Sequence, residues 1–258
     1  MQLKVENLGF SYEGSQQVFD GINLEINSGE IVCLLGPNGI GKTTLLNCLV
    51  RLSEPTHGKA MLDGEDMTRL SPREIARIIG YVPQTLRPSF DFTVLEYVVT
   101  GSAPWLSIFE KPGLVHYQRA EEALEQMGIS HLAHKPYTRI STGELQQVSI
   151  ARAIAQQSRL ILMDEPTAHL DYGNQLRVLR IVKDLAARGF GIILATHNPD
   201  QVLLLDAKAA VIDRQANFHF GPWKDVLTEE LISAMYGVPL RIIQVEGINR
   251  MVSVAPSL

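Results

Sequence analysis

The sequence has little cysteine and no excess of positive charge. Only Cys33 and Cys48 are cysteines, and each lies in an apolar stretch, so we expect two buried thiols rather than a disulfide or a metal site. The formal net charge is -5, and no cluster of Lys and Arg alternates with aromatic residues. Because nucleic-acid binders need a basic surface, this composition disfavours DNA or RNA as the main partner.

Long apolar runs and a secretory signal are also missing. No apolar run approaches the ~20 residues that span a bilayer, and the start, MQLKVENLGF, lacks the basic and then apolar profile of a signal peptide. These features predict a cytoplasmic protein whose membrane role is peripheral. With 45% hydrophobic and 20% charged residues, the 258-residue chain can form one globular α/β body with an inserted subdomain.

Two kinds of strand pattern predict an α/β fold. Ile22, Leu24 and Ile26 alternate with polar residues, as in a half-buried antiparallel strand, and residues 59–63 look similar. Short continuous apolar runs predict parallel strands that are covered on both faces. These runs are 31–35, 160–163, 191–196 and 209–212. Residues 85–159 carry mainly helical signals instead, which indicates a helical subdomain inserted between strands.

Three segments carry the capping-box pattern of a helix start, with Ser or Thr followed three residues later by Glu: 71–74, 93–96 and 141–144. In the third, Ser141 is followed by Thr142 and Gly143, which keeps the backbone accessible. The free N–H groups and the dipole of a helix N-terminus favour anions. The third segment therefore raises the hypothesis that it holds a phosphate in addition to starting a helix.

The stretch GPNGIGKTT, residues 36–44, fits the phosphate-loop pattern G-x-x-x-x-G-K-[ST]. It follows a predicted strand and opens a predicted helix, which is the context that the motif requires. Backbone N–H groups of the loop surround phosphates, Lys42 reaches their β and γ oxygens, and the Thr43 hydroxyl can bind Mg²⁺. We predict a nucleotide site formed by Gly36, Pro37, Asn38, Gly39, Gly41, Lys42, Thr43 and Thr44.

Two further predicted strands end in polar side chains. Asp164 and Glu165 follow the run 160–163; Asp164 would support Mg²⁺, and Glu165 would orient or deprotonate the attacking water. His197 follows the run 191–196 and could hydrogen-bond a γ-phosphate or that water. Because the carboxyl ends of parallel strands meet at one crevice, we expect these side chains to lie near the phosphate loop.

Two other candidates lie in predicted loops. The amide of Gln84 could contact magnesium and water, although a surface glutamine in a loop is the ordinary alternative. The ring of Tyr12 could stack on adenine with an energy of order ~1 kcal/mol. An exposed or core tyrosine is the commoner case.

Seven motifs in chain order resemble those of the nucleotide-binding subunits of ABC transporters. They are aromatic Tyr12, the Walker A loop 36–44, the Q-loop residue Gln84, the signature 140–144, the Walker B strand 160–165, Asp171 of the D-loop and the switch histidine His197. The resemblance spans residues 3–221.

The resemblance implies a single ABC ATPase domain over residues 1–258. Residues 1–84 and 160–221 would form a P-loop NTPase core, with a mainly parallel central sheet and a small N-terminal antiparallel β subdomain. Residues 85–159 would form the inserted helical subdomain. Residues 222–258 would be a packed terminal appendage, with Leu231, Ile232, Met235 and Tyr236 at helical spacing.

The resemblance also implies ATP and Mg²⁺ as ligands and a homodimer with shared sites. Ser141 would donate its hydroxyl, and Gly143 its N–H, to the γ-phosphate of ATP held by the phosphate loop of the other copy, with Glu144 and Asp171 nearby. The dimer would form with ATP and loosen after hydrolysis. Thr142 stands where the usual Leu-Ser-Gly-Gly-Gln signature has glycine, so we expect altered turnover.

Segments 92–101 and 165–175 resemble metal-chelate importers, which move iron siderophores, haem, cobalamin or molybdate. This implies two transmembrane permease subunits, an extracytoplasmic solute-binding protein and a place at the cytoplasmic face of the membrane. For Trp105, Leu106, Ile108 and Phe109 we expect mostly core packing, with some lining the groove that receives a permease helix.

The alternative class is a soluble ABC ATPase of DNA repair, translation or iron-sulfur assembly. About 100 residues separate Lys42 from Ser141, too few for a long coiled-coil arm. A P-loop kinase would explain neither the signature nor His197.

Overall fold

The computed structural model describes residues 1–13, 17–84, 91–245, 247 and 250–255. Its strands are β1 (Gln2–Ser11), β2 (Gln17–Asn27), β3 (Ile31–Leu35), β4 (His57–Leu62), β5 (Glu65–Asp66), β6 (Ile79–Val82), β7 (Leu160–Asp164), β8 (Gly191–Thr196), β9 (Lys208–Ile212), β10 (Phe218–Pro222), β11 (Arg241–Val245) and β12 (Arg250–Val254). Its helices are α1 (Lys42–Leu49), α2 (Pro72–Ile78), α3 (Val94–Val99), α4 (Leu114–Gln126), α5 (Thr142–Ala155), α6 (Tyr172–Ala187), α7 (Pro199–Leu205), α8 (Trp223–Val226) and α9 (Glu229–Tyr236).

An antiparallel sheet with the strand order β2-β1-β4-β5 is built from the N-terminal part of the chain. Ile22, Leu24 and Ile26 of β2 are buried, and the polar residues between them are more exposed. Residues 59–62 lie in β4 and pair with β1. Both predicted strands are present, and in β2 burial alternates because one face of this strand packs on the core.

The six-stranded central sheet has the order β10-β9-β3-β8-β7-β6. All its neighbouring strands run parallel except the edge pair β9 and β10. Every residue of β7 and β8 is buried, as the continuous apolar runs predicted. Parallel pairing brings the carboxyl ends of β3, β7 and β8 to one edge of the sheet.

Both cysteines are buried free thiols, as the sequence predicted. Cys33 lies in β3 and Cys48 in α1. Burial raises the pKa of Cys33 to about 12 and that of Cys48 to about 11. Neither thiol forms the reactive thiolate at neutral pH.

Helices α3, α4 and α5 lie between β6 and β7 in the sequence and pack against one another. No strand lies in the described residues 91–159. All three predicted capping boxes are present, at the starts of α2, α3 and α5. Val98, Leu124 and Val148 are buried between these helices and the sheet. The mixed fold class is confirmed, whereas the exact subdomain boundaries stay a prediction.

The expectation that most of the apolar stretch after α3 packs in the core is wrong, since none of Trp105, Leu106, Ile108 and Phe109 is buried. Ile108 is 90% exposed and Phe109 is 98% exposed. They lie in a turn before α4 that no helix or strand covers. Trp105 is partly packed instead, since its Nε1 donates to the backbone oxygen of Gln156 at 2.8 Å and the guanidinium of Arg77 lies over its ring.

The C-terminal segment packs on the central sheet and on α7. Ile232 and Met235 of α9 are buried, as their helical spacing predicted. Strands β11 and β12 form an antiparallel hairpin, and β12 lies against α7. Across the described residues, no helix combines the length and apolar character that crossing a bilayer requires.

Candidate functional site

The loop between β3 and α1 has a backbone that depends on glycine. Gly41 has φ 106°, and a Cβ atom there would lie 2.6 Å from Cγ1 of Val18. At Gly36 a Cβ atom would lie 2.9 Å from the backbone oxygen of Ile212. Larger residues would therefore have to displace a neighbouring strand, so both glycines fix the path of the loop.

Helix α1 begins directly after this loop with an open N-terminus. Its N-cap is Gly41, and within the described residues no side chain accepts a hydrogen bond from its first N–H groups. The first turn holds no acidic residue. Unpaired N–H groups and the positive end of the helix dipole therefore point out of the helix, as an anion site requires.

Lys42 is buried with three oxygen partners. Its Nζ donates to the backbone oxygens of Gly36, at 2.8 Å, and Pro37, at 3.1 Å. The same atom lies 3.1 Å from Oε1 of Glu165. A buried ammonium is stable only when it is paired and hydrogen-bonded, so these oxygens hold the positive charge at the loop.

Thr43 and Asp164 form a direct pair across 121 positions of sequence. The hydroxyl of Thr43 donates to Oδ2 of Asp164 at 2.7 Å. Asp164 is 1% exposed, and its Oδ1 is buried with no hydrogen-bond partner among the described residues. Burial raises the pKa of Asp164 and the charge of Glu165 adds to the rise, while the Thr43 hydrogen bond opposes it.

This pair fits a magnesium ion. A hydroxyl and a carboxylate with one unused, buried oxygen are ligands of the kind that Mg²⁺ takes from phosphate-loop proteins, with substrate phosphates and water completing the shell. An unpartnered buried carboxylate oxygen is unfavourable without a cation or a donor. The two side chains present thus suit the ion.

Glu165 and His197 stand together at the ends of β7 and β8. Oε2 of Glu165 lies 3.1 Å from Nδ1 of His197. Glu165 has φ 46°, an uncommon value for a residue with a side chain, and its N–H donates to the backbone oxygen of Ala195. Lys42, Glu165 and His197 therefore form one continuous chain of charged and polar contacts.

The N-terminus of α5 is a second group of candidate residues. Both the N–H and the hydroxyl of Ser141 donate to Oε2 of Glu144 at 2.8 Å. A Cβ atom at Gly143 would meet the side chain of Asn174 at 3.1–3.3 Å. Asp171 caps α6, and its carboxylate accepts from the N–H of Asn174 at 2.9 Å and from Nδ2 of Asn174 at 2.7 Å. The starts of α5 and α6 therefore form one surface.

Thr142 is the first residue of α5 and is exposed. The φ angle of Thr142 is not positive, so the helix needs no glycine at this position. The altered turnover expected from this departure stays a prediction.

The remaining predicted residues lie at the margin of the phosphate loop. The hydroxyl of Tyr12 lies 3.3 Å from Oγ1 of Thr44, and its ring makes an edge contact with Phe10. Tyr12 is 57% exposed. Asn38 and Gly39 are exposed in the loop. Gln84 is exposed, and the residues that follow it, 85–90, lie outside the described residues. Its predicted contact with magnesium stays a prediction.

Sequence reasoning missed the residues that hold this site in place. The side chains of Thr167, Thr196 and Gln201 form a buried hydrogen-bonded group behind Glu165 and His197. The Tyr236 hydroxyl donates to the backbone oxygen of His197. No motif marks these residues, and only Thr196, at a strand end, carries a positional signal.

The site has the features of P-loop nucleotide-binding proteins. These are a phosphate loop with a buried lysine, a Thr–Asp pair, and polar side chains at the ends of neighbouring parallel strands. The family can be stated more narrowly. Residues 19–168 match the family described as ABC transporter, and the chain belongs to this family.

Similar proteins are ATP-binding subunits of import systems. The chain is 38% identical to the molybdate import ATP-binding protein MolC of Haemophilus influenzae, with 92% of this chain and 89% of that protein covered. It is 32% identical to the ferric enterobactin transport ATP-binding protein FepC of Escherichia coli, with 94% and 89% covered. The chain is therefore the ATP-binding and ATP-hydrolysing type of ABC subunit.

A solved structure supports the same conclusion for the fold. It is described as an inward-facing conformation of a protein assigned to the metal-chelate type of ABC transporter. The TM-score is 0.87 and the identity 35%, with 99% of this chain and 97% of that chain covered.

The buried Asp164 carboxylate gives a first testable prediction. Burial disfavours the charge of Asp164, and Asp164→Asn removes that charge and keeps an oxygen for the Thr43 hydroxyl, so it should raise the Tm of the protein by about 2 °C in the absence of magnesium and nucleotide. Thermal unfolding with EDTA measures this. Asp184→Asn, on the exposed side of α6, is the control and should leave Tm unchanged. A lower Tm for Asp164→Asn would contradict the prediction.

Proposed function

We propose that this chain powers an importer of a metal chelate or an oxyanion, of the iron siderophore, haem, cobalamin or molybdate type. The names of its relatives support this cargo class, since they include molybdate, hemin and ferric enterobactin import proteins. The observation that carries the proposal is the contact chain from Lys42 through Glu165 to His197. It provides a phosphate-binding cation, a base and a polar side chain in one place.

The metal role falls to Thr43 and Asp164, with Gln84 as a further ligand. Bound there, Mg²⁺ would neutralise charge on the β- and γ-phosphates. The unused Oδ1 of Asp164 and the hydroxyl of Thr43 support this assignment. The open N-terminus of α1 and the loop of Gly36 to Thr44 would bind the phosphates, and Tyr12 would contact the adenine.

Hydrolysis would begin from the ion pair of Lys42 and Glu165. A γ-phosphate gives the Lys42 ammonium a second anionic partner, which weakens its attraction to Oε1 of Glu165. The Glu165 carboxylate is then available to take a proton from the attacking water. His197, at 3.1 Å from the other oxygen of Glu165, would contact the γ-phosphate or orient that water.

The signature residues would complete the site of a second copy. Ser141, Gly143, Glu144 and Asp171 form a surface at the starts of α5 and α6. The hydrogen-bond and ion-pair partners of Lys42 among the described residues are Gly36, Pro37 and Glu165, none of which belongs to this surface. The Ser141 hydroxyl, which donates to Glu144 here, would turn to the γ-phosphate in the dimer. Two ATP molecules would thus join two copies head to tail.

The permease partners would dock beside the Gln84 segment. An apolar cavity of about 350 Å³ lies between the end of α1, α2, β6 and the end of α5. Val50, Leu52, Ile75 and Pro83 are among its lining residues. An apolar groove of this kind suits one helix of a transmembrane subunit, so the two copies of the dimer would hold one subunit each. The chain would then lie at the cytoplasmic face of the membrane, with a solute-binding protein on the other side.

Mixed dimers test the composite site. Lys42→Ala removes the loop cation, and Ser141→Asp keeps a good N-cap residue but places a negative charge where the γ-phosphate would bind. Each variant alone should be inactive. A 1:1 mixture should regain about a quarter of the wild-type ATPase rate, because half the dimers are mixed and each mixed dimer has one intact site. A coupled-enzyme assay measures the rate.

A matched control is the capping-box serine of α2. Ser71→Asp makes the same change of residue at a helix start outside the site, and Ser71 pairs with Glu74 as Ser141 pairs with Glu144. It should be active alone. If the mixture of Lys42→Ala and Ser141→Asp stays inactive, each chain uses its own residues and the composite site is wrong. Co-purification with a soluble partner instead of membrane subunits would favour the soluble class.

A further inference from the structure

The C-terminal segment contacts the turn that carries His197. The hydroxyl of Tyr236, the last residue of α9, donates a hydrogen bond of 2.7 Å to the backbone oxygen of His197. The backbone N–H and the hydroxyl of Ser253, in β12, both donate to Oδ1 of Asp200 at 2.7 Å. Two contacts from the end of the chain therefore hold the turn between β8 and α7.

Local hydrogen bonds hold the neighbours of His197. The N–H of Asn198 donates to Oγ1 of Thr196 at 3.0 Å, and the N–H of Asp200 donates to Oδ1 of Asn198 at 2.9 Å. The imidazole of His197 is 49% exposed and contacts Glu165. Tyr236 adds a long-range contact to the peptide of His197 itself, and that peptide sets where the imidazole lies.

Tyr236 is itself held firmly. Ile232 and Met235 anchor α9 in the core, and the Met235 backbone oxygen accepts from Nε of Arg214 at 2.7 Å. Gly237, with φ 71°, ends the helix in the left-handed region. Burial raises the pKa of Tyr236 above its ordinary value, so the hydroxyl stays a donor at neutral pH.

We propose that Tyr236 is a positioning residue for ATP hydrolysis, which fixes the backbone of His197 and thereby the imidazole beside Glu165. The proposal rests on the proposed role of His197. A displacement of ~1 Å at a reacting group can lower a rate about 100-fold, so one hydrogen bond at this peptide has a measurable effect. The C-terminal segment, which carries no ATPase motif, is then part of the hydrolytic site.

Tyr236→Phe removes the hydroxyl and keeps the ring. We expect kcat for ATP hydrolysis by the full chain to fall about fivefold, the effect of one hydrogen bond. KM for ATP should stay within about twofold, because the hydrogen bond orients His197 and does not bind ATP. Tyr117→Phe, which removes an exposed hydroxyl from α4, is the control and should leave kcat unchanged.

A double-mutant cycle separates positioning from general stability. In a His197→Ala background, Tyr236→Phe should cause no further loss of kcat, because the two residues act through one group. A fivefold loss that persists in that background overturns the proposal. The proposal is also overturned if His197→Ala reduces kcat but Tyr236→Phe leaves kcat unchanged. Unchanged hydrolysis by His197→Ala would refute the role of His197 itself, and this inference with it.

A second variant keeps the test valid if Tyr236→Phe lowers Tm by more than about 2 °C. Ser253→Ala removes the hydroxyl contact to Asp200 and keeps the backbone one. Ser253→Ala should lower kcat by a smaller factor than Tyr236→Phe does. This loss should occur only when His197 is present. An equal loss in the His197→Ala background overturns the proposal.

Discussion

Glu165→Gln is expected to stop ATP hydrolysis and to leave ATP binding intact. The amide keeps the size of the side chain and one oxygen that can accept from Lys42, but it cannot take a proton from water, so kcat should fall by about 100-fold or more. With hydrolysis blocked, ATP should hold the closed dimer, since a ligand that binds one state better shifts the population toward it. Light scattering with ATP and Mg²⁺ measures the dimer, and a coupled-enzyme assay measures kcat.

The control for this variant is Glu30→Gln. Glu30 is also ion-paired to a lysine, since its Oε1 lies 2.7 Å from Nζ of Lys208, but that pair lies outside the phosphate site. It should retain hydrolysis and should not accumulate a dimer. A Glu165→Gln protein that hydrolyses ATP at the wild-type rate, or that stays monomeric with ATP, would contradict the role given to Glu165.

The charges of the site are only partly balanced within the described part of the chain. Lys42 is 5% exposed and pairs with Glu165, which also contacts His197. Asp164 is more deeply buried; the hydroxyl of Thr43 donates to its Oδ2, and its Oδ1 has no hydrogen-bond partner in the described part of the chain. A magnesium nucleotide would supply a cation, which Asp164 lacks, and an anion, which would compete with Glu165 for Lys42. The site is therefore arranged so that one ligand changes both interactions.

Much of the fold could be predicted because its signals are local. Continuous apolar runs marked β3, β7 and β8, and alternation marked β2. Parallel strands of one sheet share a direction, so the polar residues that follow them had to meet at one edge. For this reason Lys42, Asp164, Glu165 and His197 could be grouped before any coordinates were known.

The rest depends on contacts between distant parts of the chain. Tyr236 lies 39 positions from His197, and nothing in its surroundings in the sequence distinguishes it from a core tyrosine. Ile108 and Phe109 look like core residues by composition, but the turn that carries them is not covered. Hydrophobicity predicts burial only where another element packs against the residue.

Lys42→Ala is expected to weaken ATP binding by about 10- to 100-fold, the effect of losing one charge-assisted hydrogen bond to phosphate. The loss should exceed that of any surface lysine, because the Nζ of Lys42 is buried and already oriented by the backbone oxygens of Gly36 and Pro37. Calorimetry of ATP binding to the full chain measures the dissociation constant.

Lys208→Ala is the matched control, since Lys208 is also paired with a glutamate, Glu30, but is 33% exposed. It should bind ATP like the wild type. In Lys42→Ala, Glu165 loses its cation and keeps only His197. The Lys42→Ala protein should therefore also be less stable without ATP, because a mostly buried carboxylate is left without its main partner. An unchanged ATP affinity would remove the phosphate loop from the site, whatever the change in stability.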